Sequence, residues 1–356
     1  MSLIDRFLSL FPPPNMLRLL HSGISITDSG IYVLTLRPKG KGMKLQSYGM
    51  YPLPEGVVTL GVIQSPQEVA KALVEINKDH GIRFCAATIP DEKAYIFKTT
   101  VNRSGESSIS DAVAGKIQEM VPINMQSALF DYTVIDAAAD KVDVVVRVAH
   151  QKVSSAYFEV FKTAGIQPLQ FKVESQAVAD AILGEDDMPP SIIVHVGDVR
   201  TIFAITYKRA VYFSTTLDYG LAAWEASMQR ETGLSPADVK KAIRGTPVEG
   251  ATHEQIIISL ANMLSVVRDE VLRIKEYWKS RDEREIPIHS VIISGAPAVL
   301  PGLTKYLADS LELPVKQANV WTNAFSVDEY VPKLQYADSL AYAPAVGVAL
   351  PQALHW

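Results

Sequence analysis

Gly23-Ile24-Ser25-Ile26-Thr27-Asp28-Ser29-Gly30-Ile31-Tyr32-Val33-Leu34-Thr35-Leu36 is the stretch on which the fold turns. Ile24 and Ile26 begin an apolar run, Thr27-Asp28-Ser29-Gly30 has turn chemistry, and Ile31, Val33, Leu34 and Leu36 resume the run, so the segment reads as strand, tight turn, strand. A second copy lies far downstream, between Ile192 and Ile205: Ile193, Val194 and Val196, then Gly197-Asp198, then Ile202 and Ala204. When the two are laid together, Asp198 falls on Asp28 and Val194 on Ile24. Such a repeat, one copy in each half of the chain, points to duplicated lobes.

Outward from the first hairpin, a third strand is expected over Met43–Leu53. Ser65-Pro66-Gln67-Glu68 reads as a capping box opening a helix that stops before Gly81, and Phe84–Ile89 reads as a strand. The rhythm then changes: strand Ala94–Val101, helix Ser108–Val121 closed by Pro122, strands Leu129–Ile135 and Val142–Val148, and helix Val153–Ala164 capped by Gly165. This is the pattern of a small inserted α/β unit. A strand at Leu169–Val173 and a helix at Gln176–Leu183 precede the acidic, proline-bearing Glu185–Pro190, which reads as a boundary. Beyond it come a third strand at Ala210–Thr215, helices at Leu221–Glu231 and Pro236–Ile243, and one long helix between His253 and Trp278. The chain ends with strand Ser290–Ile293, helix Leu303–Leu311 and an apolar helix over Ser339–Leu350. The expected division is an amphipathic segment 1–14, a first lobe from 21–90 and 167–184, an insert 91–166 and a second lobe 191–351.

A chain of 356 residues with 48% hydrophobic and 21% charged side chains is globular and long enough for two domains. Its net charge of -5 supplies no positive field for a phosphate backbone, so nucleic acid is not an expected partner. Cys85 is the only cysteine, which rules out an internal disulfide, and no Cys/His spacing suits zinc; both fit a reducing cytoplasm. No stretch reaches the roughly 20 apolar residues of a membrane span. At the N-terminus Leu3, Ile4, Phe7, Leu8 and Phe11 share one helical face before Pro12-Pro13-Pro14 stops the pattern, a segment suited to its own domain, a partner or a bilayer surface. The scattered histidines make no nucleophile–base arrangement, His253 and Glu254 read as a helix start rather than a metal site, and Tyr277 and Trp278 as core or interface.

Several segments carry a resemblance. They are Lys116-Ile117-Gln118-Glu119-Met120-Val121-Pro122-Ile123, Phe130-Asp131-Tyr132-Thr133-Val134-Ile135, Lys162-Thr163-Ala164-Gly165-Ile166, Val173-Glu174-Ser175-Gln176-Ala177 and Ser294-Gly295-Ala296-Pro297-Ala298-Val299-Leu300-Pro301-Gly302-Leu303. In this order, over about Gly23–Leu350, the chain resembles the PilM family of type IV pilus assembly proteins, in the FtsA and PilM branch of the actin-like superfamily. The resemblance implies an α/β, actin-like (ribonuclease H-like, duplicated) two-lobe fold with a small α/β subdomain inserted in the first lobe. It implies a cytoplasmic scaffold on the inner face of the cell membrane, holding the N-terminal tail of a PilN-like single-span protein and associated with other pilus platform and motor proteins. Membrane association would be peripheral, through that partner or the N-terminal segment. The resemblance places the tail in a groove between the first lobe and the insert, and the matching walls are Tyr95, Phe97, Pro122, Phe130 and Tyr132.

The superfamily's cofactor is ATP with magnesium, and the positions matching its site are Asp28, Ser29, Gly30, Glu174, Gly197, Asp198, Arg200, Gly295 and Ala296. The pattern departs from the family at Ser25 and His195, where an aspartate is usual, at Val199-Arg200-Thr201, where small hydroxylated residues are usual, and at Pro297, which lacks an amide. These departures imply degenerate nucleotide chemistry. The alternative is an FtsA-like ATPase that switches or polymerises; a sugar kinase is more remote, because its catalytic aspartate is not recognisable.

Overall fold

A computed structural model describes residues 20–351 apart from 41, 103–107, 139, 186–188 and 282–285. The segment 1–14 and part of the expected boundary at 185–190 therefore lie outside the described residues.

The first sheet opens with an antiparallel meander: β1 (Ser22–Ile26), β2 (Gly30–Lys39) and β3 (Gly42–Pro52). A two-stranded ribbon, β4 (Val58–Thr59) and β5 (Val62–Ile63), leads to helix α1 (Pro66–His80) and then β6 (Phe84–Ile89), parallel to β1. Next come β7 (Ala94–Asn102), α2 (Ile109–Met120), β8 (Ala128–Ala137), β9 (Lys141–His150) and α3 (Gln151–Thr163). The chain then returns as β10 (Gln167–Val173), parallel to β6, and crosses over in α4 (Glu174–Ile182). The second sheet repeats the plan with β11 (Ser191–Val196), β12 (Thr201–Tyr207) and β13 (Ala210–Leu217), followed by α5 (Leu221–Thr232), α6 (Pro236–Ile243), α7 (His253–Ser259) and α8 (Ala261–Arg281). Parallel strands β14 (Ser290–Gly295) and β15 (Val315–Gln317) flank α9 (Leu303–Leu311), and α10 (Tyr336–Ser339) and α11 (Ala343–Ala349) finish the described chain.

The strand orders are β10-β6-β1-β2-β3 and β13-β12-β11-β14-β15: the same meander flanked by the same two parallel strands. Register makes the repeat tighter still. Ile26 pairs with Ile31 and Val196 with Thr201, so the turns 27–30 and 197–200 are equal in length and leave their strands at the same point.

One apolar core joins the two sheets, running from Leu34 and Leu36 through Val178 and Ile182 of α4 to Ile192, Val194 and Phe203. Helix α11 is apolar all round because it is enclosed, packed on β1, β6 and α4. That approach leaves no room for side chains at its crossings: a Cβ on Gly347 would stand 1.7 Å from the Ala177 carbonyl oxygen, and one on Gly23 1.9 Å from that of Ala345. Behind the first sheet, α1 and α3 cover a second core containing Leu73, Tyr157 and Phe161. The small sheet, ordered β7-β9-β8, packs Val144, Val146 and Val148 under Val113 and Ile117 of α2. Its other face turns inward, with Val145 in the joint core.

Three local expectations are corrected. Ser65 precedes α1 but makes no side-chain cap bond, so the helix starts on Pro66 alone. The long helix expected after His253 is two helices: the Ser259 carbonyl accepts the Ser227 hydroxyl at 2.9 Å and the chain turns at Leu260 before α8 begins. The start of α7 is capped by Thr252, whose hydroxyl accepts the Gln255 amide at 3.2 Å, with Gln255 closing the box on the Thr252 amide. The C-terminal apolar helix is shorter than expected, with α10 and a 3-10 turn at Leu340–Tyr342 before it.

Candidate functional site

The two equivalent turns face each other across the cleft between the sheets, and each carries an aspartate at its second position. In the first turn, Thr27 folds the backbone by donating from its hydroxyl to the Gly30 carbonyl at 2.9 Å and accepting the Gly30 amide at 3.2 Å. In the second, the Gly197 amide donates to the Arg200 carbonyl at 2.8 Å. The aspartates are then held from opposite sides. Asp28 receives Nη2 of Arg200 at 3.3 Å, and Arg200 turns its Nη1 to Glu92, just beyond β6. Asp198 receives the Ser29 hydroxyl and, at 2.7 Å, the Tyr32 hydroxyl. The side chains of Arg200 and Asp28 are only 9% and 10% exposed, so this is an ion pair largely out of water.

Asp28 is committed further. Its oxygens accept the amides of Leu60 at 2.9 Å and Gly61 at 3.1 Å, at the tip of the β4–β5 ribbon. That tip has left-handed backbone at both residues, Leu60 (φ 49) and Gly61 (φ 68), and a Cβ on Gly61 would strike the Pro90 ring at 2.3 Å. Left-handed geometry in a leucine costs about 1 kcal/mol or more. Here it is held by Asp28 and by the Tyr157 hydroxyl, which donates to the Gly61 carbonyl at 3.1 Å.

Glu174 opens α4 and lines the cleft with Ser25, Thr27, Tyr32, His195, Asp198 and Ala296. Desolvation pushes its carboxyl up to about 8, against the pull of Arg200 and with the help of Asp91, Glu92 and Asp28. Asp91 is raised as well, chiefly by burial; its Oδ2 accepts the Ser175 amide at 2.8 Å and so caps α4 from a distant loop. His195, 3% exposed, is lowered to about 4 by burial and stays neutral at physiological pH, with Nδ1 unpartnered. Gly295 has a packing role: its φ is 93 and a Cβ there would lie 2.0 Å from the Val196 carbonyl oxygen, so β14 can approach β11 only with glycine. The free space in the cleft is about 20 Å³, room for water. Among the described residues no group of acids, histidines or cysteine could hold a metal ion.

The structure thus brings Asp28, Ser29, Gly30, Glu174, Gly197, Asp198, Arg200, Gly295 and Ala296 to one cleft or its rim. Arg200, one of the positions matching the nucleotide site, pairs here with two carboxylates, Asp28 and Glu92. Sequence reading missed Tyr32, Leu60, Asp91 and Glu92. The acidic pair after Pro90, at the end of a strand parallel to β1, was the available signal.

A second constellation lies on the small sheet. Tyr95 and Phe130 flank Val148 in one cross-strand row, and Phe97 and Tyr132 flank Val146 in the next. All share the face packed by α2, while Pro122 is exposed just past that helix. This unit is fastened to the rest through Gln176 of α4: its Oε1 accepts Arg147 Nη2 at 2.8 Å and the Val211 amide at 3.0 Å, and its Nε2 donates to Asp180 at 2.7 Å. One buried amide thereby ties β9, the crossover helix and the start of β13 together.

Two lobes of identical sheet order, each sending a hairpin into a shared cleft, make this an actin-like protein. The family model for type IV pilus assembly protein PilM matches residues 23–353, and the chain belongs to that family. Among solved structures it is similar to a PilM-PilN type IV pilus biogenesis complex, with a TM-score of 0.75 and 17% identity over 93% of this chain and 98% of that one. It is also similar to the ethanolamine utilization protein EutJ from Carboxydothermus hydrogenoformans (TM-score 0.53, 13% identity, 96% and 91% covered). A third similar structure is MreB5 of Spiroplasma citri bound to ADP (TM-score 0.51, 14% identity, 85% and 93% covered). No curated protein matches by sequence. Among the described residues no helix is long and apolar enough to cross a membrane.

Proposed function

We propose that this type IV pilus assembly protein is a cytoplasmic scaffold, peripheral to the inner face of the cell membrane, whose insert captures the N-terminal tail of a PilN-like membrane protein and whose cleft is closed by its own side chains. The working division is a first lobe of 21–90 and 167–184, an insert of 91–166 and a second lobe of 191–351. The observation that carries the scaffold reading is the reciprocal tie across the cleft. Arg200 takes Asp28 and Glu92, and Ser29 and Tyr32 take Asp198, so the groups that would receive phosphates and order a metal's water shell are spent on each other. Ser25 and His195, buried where carboxylates would serve a metal, supply a hydroxyl and a neutral ring. The residues present do not fit ATP with magnesium.

The expected wall residues lie on or beside the α2 face of the small sheet, opposite the face that turns into the joint core, so the tail would run at the rim of that face rather than between insert and first lobe, against Tyr95, Phe97, Pro122, Phe130 and Tyr132. An extended peptide at the rim of that face, beside an outer strand, gains main-chain bonds from the strand edge and apolar pockets from alternate side chains. Calorimetry with a synthetic peptide of the PilN homologue's tail tests this. Binding is expected, weakened by about 1–3 kcal/mol in Tyr132→Ala if the ring anchors it. Unchanged affinity in both Tyr132→Ala and Phe130→Ala would put the partner elsewhere. The competing reading, a switching ATPase, draws on the ADP bound to one fold neighbour and on Glu174, a proton-holding acid in the cleft.

A further inference from the structure

The chain is acidic overall, with a net charge of -5, yet its charges are unevenly placed. No acid occurs between Asp28 and Glu55, and the hairpin joining β2 to β3 carries Arg37, Lys39 and Lys44, all exposed. Arg37 stands directly opposite Lys44 in the strand register, and like charges so placed cost stability. Among the described residues none of the three is ion-paired. Arg37 gives its Nε to the neutral Gln46 Oε1, and Lys39 Nζ lies 4.9 Å from the centre of the Tyr330 ring. The hairpin therefore holds a local excess of positive charge that the fold itself does not neutralise.

Lysine on an outer strand often does no more than guard a sheet edge, and that reading would suffice for Lys44 on β3. It does not account for what stands beside the hairpin. A loop of the second lobe is fastened there: the Met43 amide donates to the Ala324 carbonyl at 2.8 Å, and the Tyr330 hydroxyl to the Leu45 carbonyl at 3.2 Å. From this loop Val331 projects 81% exposed, the most of any large apolar side chain among the described residues, with Val327 47% exposed. Lys333 adds a fourth exposed cation, against the exposed carboxylates Asp328 and Glu329. Cations surrounding protruding aliphatics suit an anionic bilayer, where phosphates meet the charges and the apolar tips reach below them. A nucleic-acid backbone would use the cations and leave the valines in water. The patch also lies at the end of β2 away from the cleft turn, about 30 Å from it along ten residues of strand.

We propose that the β2–β3 hairpin and the loop 327–333 form a docking surface for anionic phospholipid headgroups, with Arg37, Lys39, Lys44 and Lys333 over the phosphates and Val331 in the interface. The protein thereby touches the bilayer directly, without a membrane partner. This deepens the peripheral-membrane reading given above and is independent of tail capture.

Co-sedimentation of the full chain with vesicles of phosphatidylglycerol and phosphatidylcholine in equal parts tests the surface. The wild type is expected to bind these vesicles, to leave them as salt rises, and to ignore vesicles of phosphatidylcholine alone. The triple variant Arg37→Gln, Lys39→Gln, Lys44→Gln should bind at least about tenfold more weakly, since each basic residue near an anionic surface contributes about fivefold. An unchanged melting temperature certifies its fold; should it melt early, the pair Lys39→Glu, Lys333→Glu replaces it. Val331→Asn should weaken binding several-fold while keeping the salt dependence. No binding by the wild type overturns the proposal. Equal binding by the folded triple variant does so too, and would pass the membrane contact to another part of the chain. Tighter binding to a short DNA duplex than to the vesicles would make the patch a nucleic-acid surface instead, and Val331→Asn binding like the wild type would remove the valine from the interface; either result overturns the proposal as stated. The triple variant should bind the PilN-homologue tail peptide as the wild type does. Failure on vesicles with peptide binding intact therefore sinks the hairpin surface alone, and vesicle binding without peptide binding sinks tail capture alone.

Discussion

The two cleft turns are built on one backbone plan and have gone opposite ways in side chain. Thr27-Asp28-Ser29-Gly30 and Gly197-Asp198-Val199-Arg200 share length, register and the position of their aspartate. The first turn keeps small hydroxyls and gives its aspartate to an arginine from the second; the second turn keeps no hydroxyl and gives its aspartate to two hydroxyls from the first lobe. A duplicated pair of hairpins becomes a tie across the cleft when the side chains of the two copies are complementary. The difference also makes the halves unequal: one is an ion pair out of water, the other a set of hydrogen bonds to a carboxylate.

That inequality sets the order of effects. Arg200→Ala should be the most damaging change, about 3 kcal/mol, because it leaves Asp28 buried and Glu92 unpaired beside Glu174 and Asp91. Urea unfolding measures it, and a loss below about 1 kcal/mol would mean that the pair is exposed in solution. Asp198→Ala should cost less, about 1–2 kcal/mol, since it removes an acceptor from two hydroxyls that water can serve. If Asp198→Ala proves the worse of the two, the asymmetry drawn here is reversed.

Glu174→Gln should change the pH profile more than the stability maximum. The folded protein holds the Glu174 proton up to about pH 8, while the unfolded chain releases it near the ordinary carboxylate range. Between these values the unfolded state binds fewer protons, so stability falls as pH rises and levels off above 8. His195 works in the other direction at lower pH: neutral when folded, it removes stability as pH falls through 6.5 toward 4. The window from 6.5 to 8 therefore isolates the glutamate from the histidine. There the wild type should lose at most about 1.4 kcal/mol per pH unit, and the glutamine variant should be flatter. An identical slope in both proteins would assign the titration elsewhere, Asp91 being the next group to test.

What the sequence shows and hides in this cleft follows from contact range. The hairpins were legible because alternation, turn residues and register are local, and the repeat doubled the signal. The insert was legible for the same reason: Val142, Val144, Val146 and Val148 alternate on one strand under the helical stripe of Val113 and Ile117. The partners were not legible. Tyr32 meets Asp198, and Arg200 meets Glu92, across more than a hundred residues of chain, and nothing near either end announces the other. Local rules also failed where tertiary bonds overrode them. The turn at Leu260 has no glycine or proline, only a Ser227 hydroxyl arriving from α5, and Ser65 has the right neighbours for a cap yet makes none.

A cleft closed by its own side chains needs no nucleotide. Melting curves of the full chain with and without millimolar ATP and magnesium are the direct test, because a ligand that binds only the folded state adds about 2.7 kcal/mol at a hundredfold excess over Kd. With its phosphate-facing groups bonded to each other, the protein should melt at the same temperature in both. A saturable rise of several degrees that disappears in Asp198→Ala would contradict the self-closed cleft and restore the switching ATPase.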